Sequence, residues 1–537
     1  MSAAPSGISC RRICADLTTA SRRVPKPPCF GTRSGTGRHL NMSSFPTNAA
    51  LSRDFPALAT RYRLADGRII RRHYLDSAAS TLAMGCARRV VDDLLPHYAN
   101  THSQAHFSAR IVNQAYDWAH RQVLRWVQAD PVCYTAFFAG SGCTAGLNRL
   151  ARTLAARRPQ RRIVLASLME HHANDLPHRK HAGQVIHLPL SGQAPALGAV
   201  DLVALEHLLE QHPGQVNYVA VSAASNVTGI VNPVHDIAAL AHAYGAWIVV
   251  DASQSLAHAL LSINGVGATE QTLDAVVFSG HKLYAPGSPG VAVVRRALLE
   301  GGEPDEVGGG MVDDVSLAGY QLTTHFPDRE EAGTPNILGA VQLGAVLNAL
   351  QRVGMATIHA EEQTRLRQLL TGLAAIPGLR IYGDPDLDRT PRLGTVAFNL
   401  NGLEHGLVAA ALNDYFNVAV RNGCFCAHPY VRELLKPELW ALEIDPDAEG
   451  AAQRLKSWQG MVRASLGLYT TAEDIAALLA GLRDLQSRPD FYRAHYTADR
   501  EGNFYHRTFT TPAETLFDPE AALDRALAQL SAMPTVL

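Results

Sequence analysis

The chain has 537 residues, 47% apolar and 18% charged, which is enough to bury a large core over roughly two to three domains. Its formal net charge of −1 gives no electrostatic case for nucleic acid or a membrane surface, and no apolar run approaches the roughly 18–20 residues that span a bilayer. Eight cysteines over this length do not make a secreted disulfide framework, so a reducing, cytoplasmic setting is expected.

Residues 1–45 are set apart. Arg11, Arg12, Arg22, Arg23, Lys26, Arg33 and Arg38 face the single acid Asp16 in a Ser-, Gly- and Pro-rich stretch with no apolar period. This reads as a disordered basic leader; organellar import is the alternative to a leader without a role. Residues 46–73 are expected to pack with a smaller C-terminal domain. From 74 to 340, seven strand-like apolar runs alternate with helical stretches: 134–140, 162–167, 184–190, 216–223, 246–253, 273–280 and 290–296. Near-continuous apolar strands separated by helices predict a mostly parallel seven-stranded sheet covered on both faces, an α/β fold. One long helix is predicted to follow from 339 to 376. It leads into a smaller α+β domain, 341–485, with strands near 394–400 and 417–423 and a closing helix capped by Thr471 with Asp474 three residues on. Residues 486–537 form a polar, aromatic-bearing extension.

Ligands on parallel sheets bind at the carboxyl ends of the strands, and the chemistry collects there. "AWIVVDASQS" puts Asp251 directly after a strand, and "LDAVVFSGHK" does the same for Ser279, His281 and Lys282. "FFAGSGCTAGLN" is a strand, a Gly-rich turn and a helix start, where Gly142, Cys143 and Thr144 offer N–H groups and a hydroxyl to an anion. "LASLMEHHAND" adds Glu170, His171 and His172. Alone, a lysine after a strand is a solvated charge, and the glycine turn is common. The cluster His171, His172, His178 and His181 lacks a carboxylate or cysteine at a metal-ligand spacing, which favours one active-site histidine plus surface ones and no metal. Together, an anion cradle, a lysine, an acid and an imidazole at one sheet edge suit pyridoxal 5'-phosphate. That cofactor needs a Schiff-base lysine, a carboxylate at its pyridine nitrogen and a phosphate site.

From about 74 to 485 the chain resembles the class V aminotransferase-fold enzymes that use this cofactor, and within them the SufS-type (group II) cysteine desulfurases. The motifs stand in family order: "YLDSAAST", "GSGCTAGLN", "MEHHAN", "SNVTGIVNP", "VVDASQS", "FSGHKLYAPGSPG", "VGGGMV", "EAGTPN", "RNGCFCAHP" and "VRASLGLY". The resemblance implies the PLP-dependent transferase fold with Lys282 as the Schiff-base residue, Asp251 at the pyridine nitrogen and His171 on the ring face. It puts Asn226 and Gln254 near the ring's 3′ oxygen, and assigns the phosphate to Ser279, His281, Thr144 and the backbone around Gly142 and Cys143. Arg463 is implied to take the substrate α-carboxylate, with Asn226 nearby. Thr334 is implied to reach the phosphate of a neighbouring subunit, hence a homodimer with shared sites.

Cys426, five residues after Arg421, falls where this family keeps its nucleophile. The implied reaction converts L-cysteine to L-alanine, leaves a persulfide on Cys426 and serves a sulfur-acceptor protein. The alternative is another class V reaction, a C–S lyase, aminotransferase or epimerase, for which Cys426 is dispensable. A non-catalytic scaffold is disfavoured by the intact Lys282, Asp251, His171 and Arg463. The chain also departs from the family pattern. Cys143 replaces a threonine, Ala145 a glutamate, Ser103 an arginine and Cys424 a histidine; Cys424 is either a resolving thiol or a neutral neighbour.

Overall fold

A computed structural model describes residues 47–265, 267–440 and 458–531. The chain divides into two units, 1–45 and 46–537, and every described element belongs to the second. The expected leader lies outside the described residues.

The seven predicted runs form seven strands: β1 (Tyr134–Ala139), β2 (Ile163–Ser167), β3 (Gln184–Leu188), β4 (Val216–Ser222), β5 (Trp247–Asp251), β6 (Ala275–Ser279) and β7 (Gly290–Arg295). They make one sheet in the order β1-β7-β6-β5-β4-β2-β3. β7 runs antiparallel to both of its neighbours, β1 and β6, and the other adjacent pairs are parallel. β1, β2, β4 and β6 are buried along their whole length, which is why they read as continuous apolar runs. Side chains alternate between two cores. Phe137, Val164, Val249 and Val277 pack with Leu147, Leu150 and Leu154 of helix α2 (Gly142–Arg157). Phe138, Leu165, Val250 and Phe278 share the opposite core with helices α1 (Phe107–Trp126) and α3 (Ile337–Val353). With both faces covered, the open place for a ligand is the edge at which the parallel strands end.

The single helix expected across 339–376 is two. Gly354, at φ 96°, ends α3, and α4 (Met355–Ala374) begins at the next residue. That left-handed conformation disfavours any side chain, and it lets α3 pack on α1 while α4 crosses to a second sheet. The sequence boundary drawn at 340/341 falls inside α3. The second sheet has the order β8-β9-β11-β10, built from Leu379–Ile381 (β8), Thr395–Leu400 (β9), Arg421–Gly423 (β10) and Met461–Ser465 (β11), all antiparallel. Helices α4, α5 (His405–Phe416) and α6 (Ala472–Ser487) cover it through Leu366, Leu407, Leu412, Leu478 and Leu482. The Thr471–Asp474 pair forms a reciprocal capping box at the start of α6.

The strand expected over 417–423 also divides. Val418–Ala419 pairs in parallel with His73–Tyr74, and Arg421–Gly423 belongs to the small sheet. The extension carries a hairpin (Tyr496–Ala498 with Phe504–His506) and a helix, α7 (Pro519–Ser531). Among the described residues no helix is long and apolar enough to cross a membrane.

Candidate active site

A cavity of about 390 Å³ opens at the carboxyl ends of the large sheet. Gly142, Cys143, Thr144, His171, Asn226, Ser279, His281, Lys282, Cys426 and Arg463 all line it. Asp251 and Gln254 are buried, and Asp251 reaches the lining through Cys143, whose Sγ lies 3.9 Å from its Oδ2. Thr334 is exposed and stands outside this cavity, bonded at 3.3 Å by the Asn100 side-chain amide.

Lys282 ends a short 3₁₀ turn, Gly280–Lys282, directly after β6. The turn is fixed from outside: the His281 carbonyl accepts the Thr81 N–H at 3.0 Å, and Tyr284 N–H donates to the Thr81 hydroxyl at 2.7 Å. Tyr284 takes a left-handed φ of 58°, so the chain doubles back immediately after the lysine. Beside it, α2 starts at Gly142, and Ser141 makes no side-chain capping bond. The helix therefore presents its positive end without a cap of its own. Space there is tight. A Cβ on Gly142 would come within 2.8 Å of Ser279 Oγ, and one on Gly290 would overlap the Gly142 carbonyl. The Cys143 N–H is already spent on Ser279 Oγ at 2.7 Å.

Asp251 ends β5 and accepts the Ser253 N–H at 2.9 Å. Burial, and then the Asp251 charge, push the Cys143 thiol up to about 11, so it stays protonated. His171 accepts the Ala173 N–H at Nδ1, 3.0 Å away. Burial and the Lys282 charge lower its pKa to about 4. The ring is therefore neutral at pH 7 with its proton on Nε2.

Behind His171 lies a buried polar chain. Glu170 accepts from the Ser167 hydroxyl, from Ser222 N–H at 2.8 Å, from the Ser222 hydroxyl at 2.6 Å and from Asn174 Nδ2 at 2.6 Å. Asn174 Oδ1 bonds His178 Nε2 at 3.0 Å, and His178 Nδ1 bonds Tyr218 OH at 2.8 Å. Burial raises Glu170 to about 7 even though all four donors pull the other way.

Arg463, on β11, is buried. It donates to the Asn226 carbonyl at 2.8 Å and to Asp76 at 3.1 Å, and its guanidinium lies 4.8 Å over the Phe425 ring. Its Nε is buried with no hydrogen-bond partner. Asp76 was not among the residues expected at the site, although it stands in the "YLDSAAST" motif. Arg421 serves in the sequence only as a marker for Cys426, yet it lines the cavity.

Cys426 is exposed and sits at the rim. Phe425 and Cys426 are both left-handed, at φ 53° and 54°, an uncommon conformation for side chains of this kind. The loop is held from several sides. The Cys426 carbonyl accepts His172 N–H at 2.7 Å, the Phe425 carbonyl accepts Asn226 Nδ2 at 2.7 Å, and the Cys424 thiol donates to the Gln459 carbonyl at 3.1 Å. His428 Nδ1 and His172 Nε2 lie 3.0 Å apart with their rings nearly parallel.

The aminotransferase class-V family model matches residues 73–478. A cysteine desulfurase from Serratia proteamaculans is 31% identical over 82% of this chain and 99% of its own length. One from Escherichia coli is 31% identical over 80% and 96%. Among solved structures, a cysteine desulfurase from Thermococcus onnurineus superimposes with a TM-score of 0.66 at 28% identity, covering 77% of this chain and 94% of its own. An Escherichia coli cysteine desulfurase in its S-sulfonic acid form gives 0.66 at 26%, covering 82% and 99%. The glycine-lined helix start, the strand-end lysine and carboxylate, and the rim cysteine thus lie in a chain that belongs to the class-V aminotransferase family, with cysteine desulfurases as its relatives.

Proposed function

We propose that the protein is a pyridoxal 5'-phosphate-dependent cysteine desulfurase. It converts L-cysteine to L-alanine, and the sulfur atom passes to Cys426–SH to give Cys426–S–SH. The observation that carries this reading is the exposed Cys426, pinned on a left-handed loop at the rim of the cavity whose floor holds Lys282, His171 and Arg463.

The residues fit the cofactor. The uncapped start of α2, with close glycine packing at Gly142 and Gly290, suits a phosphate. The unpartnered, buried Nε of Arg463 suits a carboxylate ligand. When bound, the cofactor supplies an electron sink that lets bonds at the substrate Cα and Cβ break. Lys282 would hold its aldehyde carbon and carry protons at the substrate Cα, and Asp251 would keep its ring nitrogen protonated. His171 would offer a neutral ring to it, and Gln254 and Asn226, whose amides donate to the Ala78 and Phe425 carbonyls, would lie near the ring's 3′ oxygen. Thr144, Ser279 and His281 would hold the phosphate. Arg463, oriented by Asp76 and the Asn226 carbonyl, binds the substrate carboxylate. Cys426 faces the outside as well as the cavity, which suits delivery of sulfur to an acceptor protein. Thr334, outside the cavity of its own chain, serves the partner's phosphate in a homodimer.

The test is an assay of alanine, pyruvate and sulfide from L-cysteine under a reductant, with Cys426→Ala in parallel. Alanine matched by sulfide, and lost in the variant, is expected. Pyruvate with sulfide, untouched by the substitution, would sink the nucleophile assignment in favour of a C–S lyase.

A further inference from the structure

A second cavity, about 810 Å³, is roughly twice the size of the first. Its walls come from Tyr62, Arg63 and Leu64 near the beginning of the described residues, from Asn413 and Asp414 of α5, and from Phe504, Tyr505 and Phe509 of the extension. Two of these three walls lie outside the span of the class-V family model, 73–478. The volume falls in the range of small-molecule pockets, about 300–1,000 Å³.

Its charges are unbalanced. The hairpin of Arg61–Arg63 and Ile69–Arg71 neutralises two of its arginines: Arg68 pairs with Asp66 at 2.6 Å, and Arg71 with Asp474 at 3.2 Å. Arg63 and Arg72, which line the cavity, have no carboxylate partner among the described residues. Arg72 lies 4.7 Å over the Tyr74 ring, and its Nε is buried with no hydrogen-bond partner. The one acid in the lining, Asp414, is occupied by Tyr496 OH at 2.9 Å and Asn413 Nδ2 at 2.8 Å. His506 adds no charge: its Nδ1 accepts the Phe509 N–H at 2.9 Å, its Nε2 bonds Tyr415 OH at 2.9 Å, and burial lowers its pKa. Arg72 is half-buried and Arg63 exposed; a half-buried guanidinium without an acceptor is costly, and a carboxylate, sulfonate or phosphate satisfies it in the fork geometry it prefers, with the Arg63 charge adding to the attraction. Phe504, Tyr505 and Phe509 line the remainder with rings.

We propose that this cavity binds a small organic anion, an aromatic or apolar body bearing one acidic group, with the acid at Arg63 and Arg72 and the body against the rings of the extension. The site is separate from the cavity proposed for catalysis and does not depend on the reaction assigned there. The test is calorimetric titration of the full chain, loaded with pyridoxal 5'-phosphate, with 4-phenylbutyrate and its cationic counterpart 4-phenylbutylamine. The acid is expected to bind at least about tenfold tighter than the amine, and Arg63→Ala/Arg72→Ala is expected to weaken the acid about tenfold or more. Thr511→Glu, at an exposed wall position, puts a like charge in the cavity without touching the core and is expected to weaken it as well. Absent binding of the acid to the unmodified chain, equal binding of acid and amine, or unchanged binding in Thr511→Glu would each overturn the proposal.

Discussion

The floor and the rim of the strand-end cavity are built differently. The floor rests on strand ends: Asp251 closes β5, Lys282 follows β6, and Glu170 ties the ends of β2 and β4 together through buried hydrogen bonds. The rim is a loop in an unfavourable backbone conformation, held by separate bonds from Asn226, His172 and Gln459. A rigid floor suits the role proposed for these groups, to hold a cofactor in one orientation. An exposed, strapped loop suits the role proposed for Cys426, a thiol that meets both the cavity and an acceptor outside it.

The largest effects should separate the two regions cleanly. Lys282→Ala breaks the floor: turnover is expected to fall about 10³-fold or more, and the added cofactor is expected to be lost on gel filtration. Cys426→Ala breaks the rim and is expected to abolish alanine formation while the cofactor stays bound through the same column. Loss of cofactor from both variants would mean that floor and rim are one unit, and the contrast between them would fail.

Much of the floor was legible in the sequence because its signals are local. A strand buried on both faces reads as an unbroken apolar run, and the residue that follows it sits at the sheet edge whatever the rest of the chain does. Asp251, Lys282 and Gly142 were found in that way. The Arg463–Asp76 pair joins residues 387 apart and leaves no local pattern. The division at Gly354 was missed because apolar residues at helical spacing continue on both sides, and one glycine is a weak stop. The division of 417–423 was missed because both halves alternate alike while serving different sheets. The second cavity was invisible for the same reason as the ion pair: its walls come from three stretches far apart in the chain, 62–72, 410–419 and 504–516.

Glu170 tests the floor more gently. Its pKa in the fold, about 7, lies above the 4.5 of a free glutamate. The folded state therefore keeps its proton to higher pH than the unfolded state, and stability is lost as pH rises from about 4.5 to about 7. A displacement of that size corresponds to about 3 kcal/mol. In Glu170→Gln this slope should disappear from the urea midpoint. The amide confronts donors that the carboxylate accepted, and is expected to cost about 1–3 kcal/mol at low pH, where both side chains are neutral. The gap between the two proteins should then narrow toward pH 8. A gap that widens with pH would mean that the ionised carboxylate stabilises the floor, with its four donors outweighing burial.

The smallest effect belongs to the rim, at Cys424. Two residues from Cys426, it could in principle resolve a persulfide to a disulfide, releasing sulfide. Two observations argue against that role. Its thiol is committed as a donor to the Gln459 carbonyl at 3.1 Å. Burial, aided by the neighbouring Cys426, raises its pKa, so it is protonated at neutral pH, and the thiol is a far poorer nucleophile than the thiolate. Serine keeps the donor and removes the sulfur. Cys424→Ser is therefore expected to leave alanine formation and sulfide release within about twofold of the unmodified chain. A tenfold fall in sulfide release with alanine formation preserved in a single turnover would put Cys424 in the path of the sulfur atom. The rim would then be a two-thiol relay, and the bond to Gln459 a resting contact that breaks during turnover.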